Sequence, residues 1–175
     1  GIYREYNHEI AAALISDISI EPPAARAAVF ACAEALISLE NDNALDGFIE
    51  ASIAQLRSDW ATYDEDTERG TFIIISKLSL FTRYLSTPNK SPKIFTDNGM
   101  ITQLCYKPFW ESIGEAFSTS TISGISEIKL RTASNAVRAI STLVVAAPNS
   151  MNVKEEVEHF VATFQESFKT VINFG

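Results

Sequence analysis

The side chains in this sequence with the clearest capacity for chemistry are carboxylates gathered between Glu40 and Glu68. This stretch holds nine acidic residues against one base, Arg57, so its local charge of −8 equals the net charge of the whole chain. The nine acids are Glu40, Asp42, Asp46, Glu50, Asp59, Asp64, Glu65, Asp66 and Glu68. The following stretch, Arg69 to Arg138, carries nine bases and four acids, a local charge of +5. This polarity predicts an acidic surface that attracts basic partners and repels nucleic acid and anionic membranes.

Calcium binding is the first chemistry that such a run of carboxylates suggests, because calcium prefers oxygen ligands. The helix-loop-helix calcium loop needs a glycine at its sixth position and a carboxylate at its twelfth. Counting from Asp64 places Arg69 and Ile75 at these positions, and counting from Asp42 places Ile53 at the twelfth. Two cysteines and two histidines without paired spacing leave no zinc site either. We therefore expect no metal and no cofactor.

Histidine, the commonest general base, occurs only as His8 and His159, each close to a glutamate on a predicted helix. Such pairs one helical turn apart are typical of surface contacts. A serine or cysteine nucleophile needs a base within hydrogen-bond reach. No Gly-x-Ser-x-Gly, P-loop or Gly-x-Gly-x-x-Gly motif occurs in the chain. The sequence therefore predicts a protein that is not an enzyme.

Apolar residues recur at spacings of three and four almost throughout, which predicts an all-α fold. A chain of 175 residues suits one hydrophobic core, so we expect a single domain over residues 1–175, a bundle of about seven or eight helices. A predicted third helix, Leu45 to Trp60, places its apolar side chains inward and places Asp46 and Asp59 on other faces. A polar break from Tyr63 to Gly70 follows it.

Three other features of the sequence predict which residues are buried in the core. Phe72–Ile75 is rich in β-branched residues, but helical spacing continues beyond it, so we expect a buried helix rather than a strand. Ser126–Ala147 has a wide apolar face and is predicted to be the central helix, while the last helix carries a clear apolar stripe from Val153 to Val171. Cys32 and Cys105 lie among apolar neighbours, which favours two buried, reduced thiols over a disulfide.

No segment approaches the ~20 uninterrupted apolar residues of a membrane span. The segment Gly1 to Tyr6 lacks a basic region followed by an apolar one, so no signal peptide is visible, although a mature secreted protein would look the same. The low cysteine content and the acidic composition favour the cytoplasm.

Two functional classes remain open. The first is a protein-binding module whose acidic face covers a basic partner, since carboxylates complement a site built to hold phosphate. The second is a helical bundle that binds an apolar small molecule or lipid between its helices, which the eleven phenylalanines suggest. Direct nucleic-acid binding is not expected, because the bases are dispersed through apolar helices. Salt-sensitive association with a basic protein would favour the first class, and uptake of a hydrophobic dye by the folded state would favour the second.

The acidic run from Glu40 to Glu68, with Trp60 and Tyr63 beside it in an all-helical chain, resembles the immunity proteins of bacterial contact-dependent growth inhibition. Those proteins bind and neutralise the toxic C-terminal domain, often a nuclease, of a cell-surface effector. The resemblance spans the chain in architecture. It implies a cytoplasmic location, a cognate basic toxin as partner, and inhibition by covering the toxin's active site.

The residues expected to contact such a toxin are Asp42, Asp46, Asp59, Trp60, Tyr63, Asp64, Glu65, Asp66 and Glu68. The two aromatic residues would anchor the contact, as buried aromatics do in many interfaces. The spacing of Trp60 from Ile53 and Leu56, however, favours a position in the core for this side chain.

Overall fold

Ten α-helices and no strand make up the part of the chain that the computed structural model describes, residues 2–37, 43–118 and 124–169, with backbone alone for residues 2–5 and 7. The helices are α1 (Ile2–Ser16), α2 (Pro23–Ile37), α3 (Asp46–Ala54), α4 (Leu56–Glu65), α5 (Thr67–Ser86), α6 (Lys93–Asp97), α7 (Met100–Leu104), α8 (Lys107–Ser118), α9 (Gly124–Ala146) and α10 (Met151–Ser167). The all-α prediction is confirmed. Two helices more than the upper prediction are present, because the predicted third helix is divided into α3 and α4 and because the short α6 was not foreseen.

Helix α5 lies at the centre of the bundle and packs against α2, α4 and α9. Its residues Ile74, Leu78 and Phe81 have no exposed surface. The predicted buried helix through Phe72–Ile75 is thus confirmed, because the apolar residues beyond it continue one face of the same helix. The central position therefore belongs to α5 rather than to the predicted Ser126–Ala147 segment, which forms α9 beside it.

Some apolar residues assigned to the core by spacing lie on the surface instead. On α9, Val137 and Val144 keep 41% and 37% of their surface exposed. On α10, Val153 and Phe160 are buried as predicted, whereas Val161 is 43% exposed. The apolar stripes of both helices are wider than the faces they bury. Val171, the last residue of the predicted stripe, lies outside the described residues.

The two thiols are both free, and neither forms the alternative disulfide. The predicted burial is wrong for Cys32, which is exposed, while Cys105 is half-buried. The buried face of α2 is set by Phe30, Ala33 and Ile37. Cys32 follows Phe30 by two residues and therefore lies on another side of the helix.

The predicted third helix is interrupted at Gln55, between α3 and α4. The Gln55 backbone N–H still donates to the Ala51 carbonyl at 3.1 Å. Lys77 of α5 donates from Nζ to the Ser52 carbonyl at 3.2 Å and to Gln55 Oε1 at 3.1 Å. Carbonyls at a helix C-terminus lack intrahelical partners, and a cation is favourable there. The lysine therefore stabilises the end of α3, which no apolar pattern along the chain could reveal.

Helices α4 and α5 meet at Asp66, where the backbone is extended with φ −143° and ψ 94°. The Asp66 carboxylate accepts a hydrogen bond from the Arg69 backbone N–H at 3.2 Å and so caps α5. In the next turn, a Cβ on Gly70 would lie 2.3 Å from the Tyr63 Cα. Only glycine permits this close approach of the two helices, which fixes the junction in place.

Among the helices of the described segments, none is both long enough and apolar enough to cross a bilayer.

Candidate interaction surface

Four acidic side chains remain together at the α4–α5 junction, and all four are exposed. Asp64 and Glu65 end α4, Asp66 caps α5, and Glu68 lies in its first turn. We call these four residues the junction carboxylates. The side-chain carboxylates of Glu65 and Glu68 form no ion pair or hydrogen bond with any part of the chain that the structure describes. These four carboxylates are therefore open to solvent or to a partner, as is Glu50 of α3.

Asp59 does not belong to this surface, and its assignment to a polar face was wrong. Its exposed fraction is 5%, and its Oδ2 lies 2.5 Å from Lys77 Nζ. Asp59 follows Leu56 by three residues and precedes Tyr63 by four, so all three share the side of α4 that faces the core. The carboxylate enters the interior because the lysine meets it there.

Burial disfavours the charged forms of both members of the Asp59–Lys77 pair. Burial raises the pKa of Asp59 and lowers the pKa of Lys77, and in both groups this effect exceeds the opposing attraction of the partner charge. The positive charge of Arg26 lowers the pKa of both groups. The Lys77 side chain has no exposed surface through which a substrate could reach it. We therefore assign the pair to the architecture of the bundle.

Asp46 lies far from the junction carboxylates. Its Oδ1 accepts a hydrogen bond of 2.6 Å from the hydroxyl of Tyr84, near the C-terminal end of α5. Asp66 caps the other end of α5, and the 18 residues between Asp66 and Tyr84 span roughly 27 Å at about 1.5 Å per residue. The acidic stretch is therefore divided between the two ends of α5 rather than gathered on one face. Asp42, also predicted to bind the partner, lies outside the described residues.

Trp60 and Tyr63 support the surface from beneath instead of projecting from it. They are only 5% and 6% exposed, so the core position favoured by the spacing of Trp60 is the observed one. The Trp60 ring stacks on Tyr106 at 4.8 Å between centroids and donates from Nε1 to the Gln103 carbonyl at 2.7 Å. The Tyr63 hydroxyl lies 3.1 Å from the Ser112 Oγ. Both side chains are held by the fold, so each has little exposed surface with which to anchor a partner.

A groove of about 420 Å³ opens between α4 and α7, and we call it the tyrosine groove. Its lining includes Arg57, Asp64, Gln103 and Tyr106. The Tyr106 hydroxyl donates to the Asp64 carboxylate, and this bond raises the pKa of Tyr106 to about 12. The groove thus presents one exposed cation and one carboxylate that already accepts a hydrogen bond. Its net charge does not favour a basic ligand.

A second groove, of about 410 Å³, lies where α5 begins, and we call it the phenylalanine groove. Three helices supply its apolar lining, through Pro23 of α2, Phe72 of α5 and Ile128 of α9. Its charged lining comes from Asp66, Glu68 and Arg69. An apolar surface thus lies directly beside two of the junction carboxylates.

Sequence reasoning missed both Tyr106 and Phe72 as surface residues. Tyr106 lies between two short helices, where no periodicity assigns a face. Phe72 was read as part of a buried run, yet 38% of its surface is exposed. Glu68 precedes it by four residues and Ser76 follows it by four, so polar residues share its side of α5. Those polar residues at helical spacing are the signal that could have identified it.

Nine of the ten phenylalanines that the structure describes pack against other aromatic rings of the bundle, and Phe72 is the exception. Phe109 and Phe160 each lie 5.1 Å from the Trp110 ring, and Phe164 stacks on Phe168 at 4.4 Å. These contacts account for the burial of the rings without a bound molecule.

No group of three or more potential metal ligands occurs among the side chains that the structure describes. Comparisons with protein-family models, curated proteins and solved structures find no match for this chain. The geometry of the junction is therefore what indicates a function for this chain.

Proposed function

We propose that this protein is an inhibitor that binds a basic protein partner through the junction carboxylates, Asp64, Glu65, Asp66 and Glu68. The observation that carries the proposal is the exposure of all four at one helix junction, with Glu65 and Glu68 unpaired within the described chain. Carboxylates without an internal cation attract lysine, arginine and protonated histidine on a partner.

The partner implied by the resemblance to immunity proteins is a cognate toxin, of which a nuclease is the best fit. A nuclease holds phosphate with basic side chains, and the same side chains would accept the junction carboxylates in place of substrate. Inhibition follows because the active site of the toxin cannot hold this protein and nucleic acid at the same time. A toxin that acts inside the cell places this protein in the cytoplasm.

The location of the carboxylates suits such a contact. Asp66 is fixed by its capping bond to α5, and Gly70 lets α4 pack closely enough to hold Asp64 and Glu65 beside it. A surface presented by the ends of packed helices loses little backbone freedom on association. Binding energy is then available for the charge pairs themselves.

The test is capture of partners from a lysate of the source organism on the immobilised protein at low salt, followed by elution with rising salt. We expect a basic protein that leaves as salt screens the contact. The eluted protein is then purified, assayed for nuclease activity, and assayed again with this protein added. Loss of activity at equal stoichiometry supports the proposal, whereas a partner that stays bound in high salt and keeps its activity refutes it.

The matched variants are Glu65→Lys/Glu68→Lys and Glu155→Lys/Glu158→Lys. The first double variant reverses the charge of two junction carboxylates that bond to no described residue, so no internal bond of the fold is lost. The second makes the same charge change at exposed positions of α10. We expect the junction variant to bind the partner about tenfold more weakly or worse, since like charges then face each other, and the α10 variant to bind as the wild type does. Asp64 and Asp66 are left unchanged because one accepts from Tyr106 and the other caps α5.

A further inference from the structure

Phe72 is an exposed aromatic side chain in α5, the helix at the centre of the bundle. Its neighbours Ile73 and Ile74 have 1% or less of their surface exposed, whereas Phe72 keeps 38%. Pro23 and Ile128 approach it from α2 and α9, and the three side chains give the phenylalanine groove its apolar lining. The groove is large enough for one bulky side chain of another molecule.

The charge beside this groove is negative in sum. Arg69, the one base in its lining, is bound to Glu21, which also accepts from Arg26 at 2.9 Å. Asp66 and Glu68 also line the groove, and neither forms an ion pair with another described residue. Two carboxylates at an apolar groove complement an apolar side chain that has lysine or arginine close to it.

The tyrosine groove offers a contrast. There, the exposed cation Arg57 lines the same space as Asp64, and Asp64 already accepts from Tyr106. A basic segment would meet repulsion as well as attraction in that groove. Of the two grooves, only the one at Phe72 combines apolar walls with two carboxylates that form no ion pair with a described residue.

We propose that the phenylalanine groove binds a large apolar side chain of a basic protein partner, and that lysines or arginines one helical turn away from that side chain pair with Asp66 and Glu68. The proposal rests on the proposed function and adds the anchor that the predicted Trp60 and Tyr63 do not provide. Interfaces concentrate their binding energy in such a central apolar contact surrounded by polar groups. The carboxylates raise the association rate of the partner, and the apolar contact in the groove lowers its dissociation rate.

The probe is a fluorescent synthetic helical peptide with one leucine and a lysine one turn before and after it. A second peptide has alanine in place of leucine and keeps every lysine. We expect the leucine peptide to bind the wild-type protein at least about tenfold more tightly than the alanine peptide by fluorescence anisotropy, because only leucine fills the groove. Equal binding of the two peptides, or no binding of the leucine peptide, overturns the proposal.

The protein variants are Phe72→Ser and, as a control at an exposed apolar residue on α9, Val145→Ser, which alters a side chain that is 80% exposed. Phe72→Ser removes the apolar wall, so we expect it to bind both peptides equally weakly, while Val145→Ser keeps the preference for leucine. Ile128→Thr tests a second wall of the groove with a smaller change. Circular dichroism and thermal unfolding establish that each variant is folded. A folded Phe72→Ser variant that retains the preference overturns the proposal.

Binding of the captured partner to the two variants distinguishes failure of the groove proposal from failure of the proposed function. A partner that is lost from Glu65→Lys/Glu68→Lys but retained at full affinity by Phe72→Ser overturns the groove and supports the acidic contact. A partner that binds neither variant supports the acidic contact and the groove. A partner that binds both variants at full affinity overturns the acidic contact and the groove.

Discussion

Removing either member of the buried Asp59–Lys77 pair should destabilise the protein far more than removing both. Lys77→Met leaves the Asp59 carboxylate, 5% exposed, without its cation. Asp59→Leu leaves the Lys77 ammonium in the core with only neutral acceptors, the Ser52 carbonyl and Gln55 Oε1. A charge stranded in this way costs about 3–5 kcal/mol. That is a large fraction of the roughly 5–15 kcal/mol by which domains are typically stable.

The double variant Lys77→Met/Asp59→Leu strands no charge. What remains is the Ser52 carbonyl, which loses the donor that satisfied it at the end of α3. A buried acceptor without a donor costs about 1–3 kcal/mol, and the added apolar contacts offset part of this. We therefore expect the double variant to lose no more than about 3 kcal/mol, well short of the 6–10 kcal/mol or so reached by adding the two single losses.

The assay is equilibrium unfolding of the four proteins in urea, followed by far-ultraviolet circular dichroism. The free energies of unfolding form a double-mutant cycle, provided that the denaturant slopes agree. Losses that simply add would mean that the two charges do not act together. A loss below about 1 kcal/mol in Lys77→Met would mean that water reaches Asp59, and the assignment of the pair to the core would be wrong.

The same cycle has a definite dependence on pH. In Lys77→Met the Asp59 carboxyl keeps the burial that raises its pKa and loses the lysine that lowers it. A raised pKa makes a carboxyl contribute stability at low pH that is lost as the pH rises through the folded-state value. Lys77→Met should therefore regain stability relative to the wild type as the pH falls through the raised pKa of Asp59, and Lys77→Met/Asp59→Asn should not.

Two further predictions test other parts of the fold. Glu156 accepts from Thr102 at 2.9 Å, but its Oε2 is buried without a partner in the described structure, and burial raises its pKa. Wild-type stability should fall as the pH rises through that raised value, so Glu156→Gln should melt at a higher temperature than the wild type at neutral pH. The difference should vanish below the ordinary glutamate pKa of 4.5, and an advantage that persists there contradicts the charge argument. Gly70→Ala should lose about 3 kcal/mol or more in urea unfolding, because its Cβ would lie 2.3 Å from the Tyr63 Cα. Gly124→Ala should change stability by less than about 1 kcal/mol, because its Cβ would meet no atom of a more distant described residue within 4 Å.

Helical periodicity was enough to predict the fold class, because each helix buries a stripe whose spacing is local to the chain. The same rule carried a signal for Asp59 and Lys77 that the charge count concealed. Asp59 lies at helical spacing between Leu56 and Tyr63, and Lys77 lies three residues after the fully buried Ile74. Opposite charges on the apolar stripes of two helices indicate a buried pair, and reading each acid as surface charge was the error.

The distribution of the acidic stretch in space could not be predicted in this way. A sum of charge along the sequence treats Asp46 and Asp64 as neighbours, whereas the helix hairpin carries them to opposite ends of α5. The interruption at Gln55 depends on a lysine 22 residues further along the chain. Both features follow from tertiary packing, in which residues distant in sequence decide what a local pattern becomes.

The packing of the α4–α5 hairpin separates the charges that hold the fold from those available to a partner. Lys77 draws Asp59 into the core, Tyr84 holds Asp46 at the far end of α5, and the cap at Asp66 places Glu65 and Glu68 in solvent. The side chains of Glu65 and Glu68 bond to no described residue, so they can be altered without breaking an internal contact, and the buried pair can be altered without touching the surface. A variant of Lys77 that remains folded should therefore bind a basic partner as the wild type does, and any weakening should follow the unfolded fraction alone.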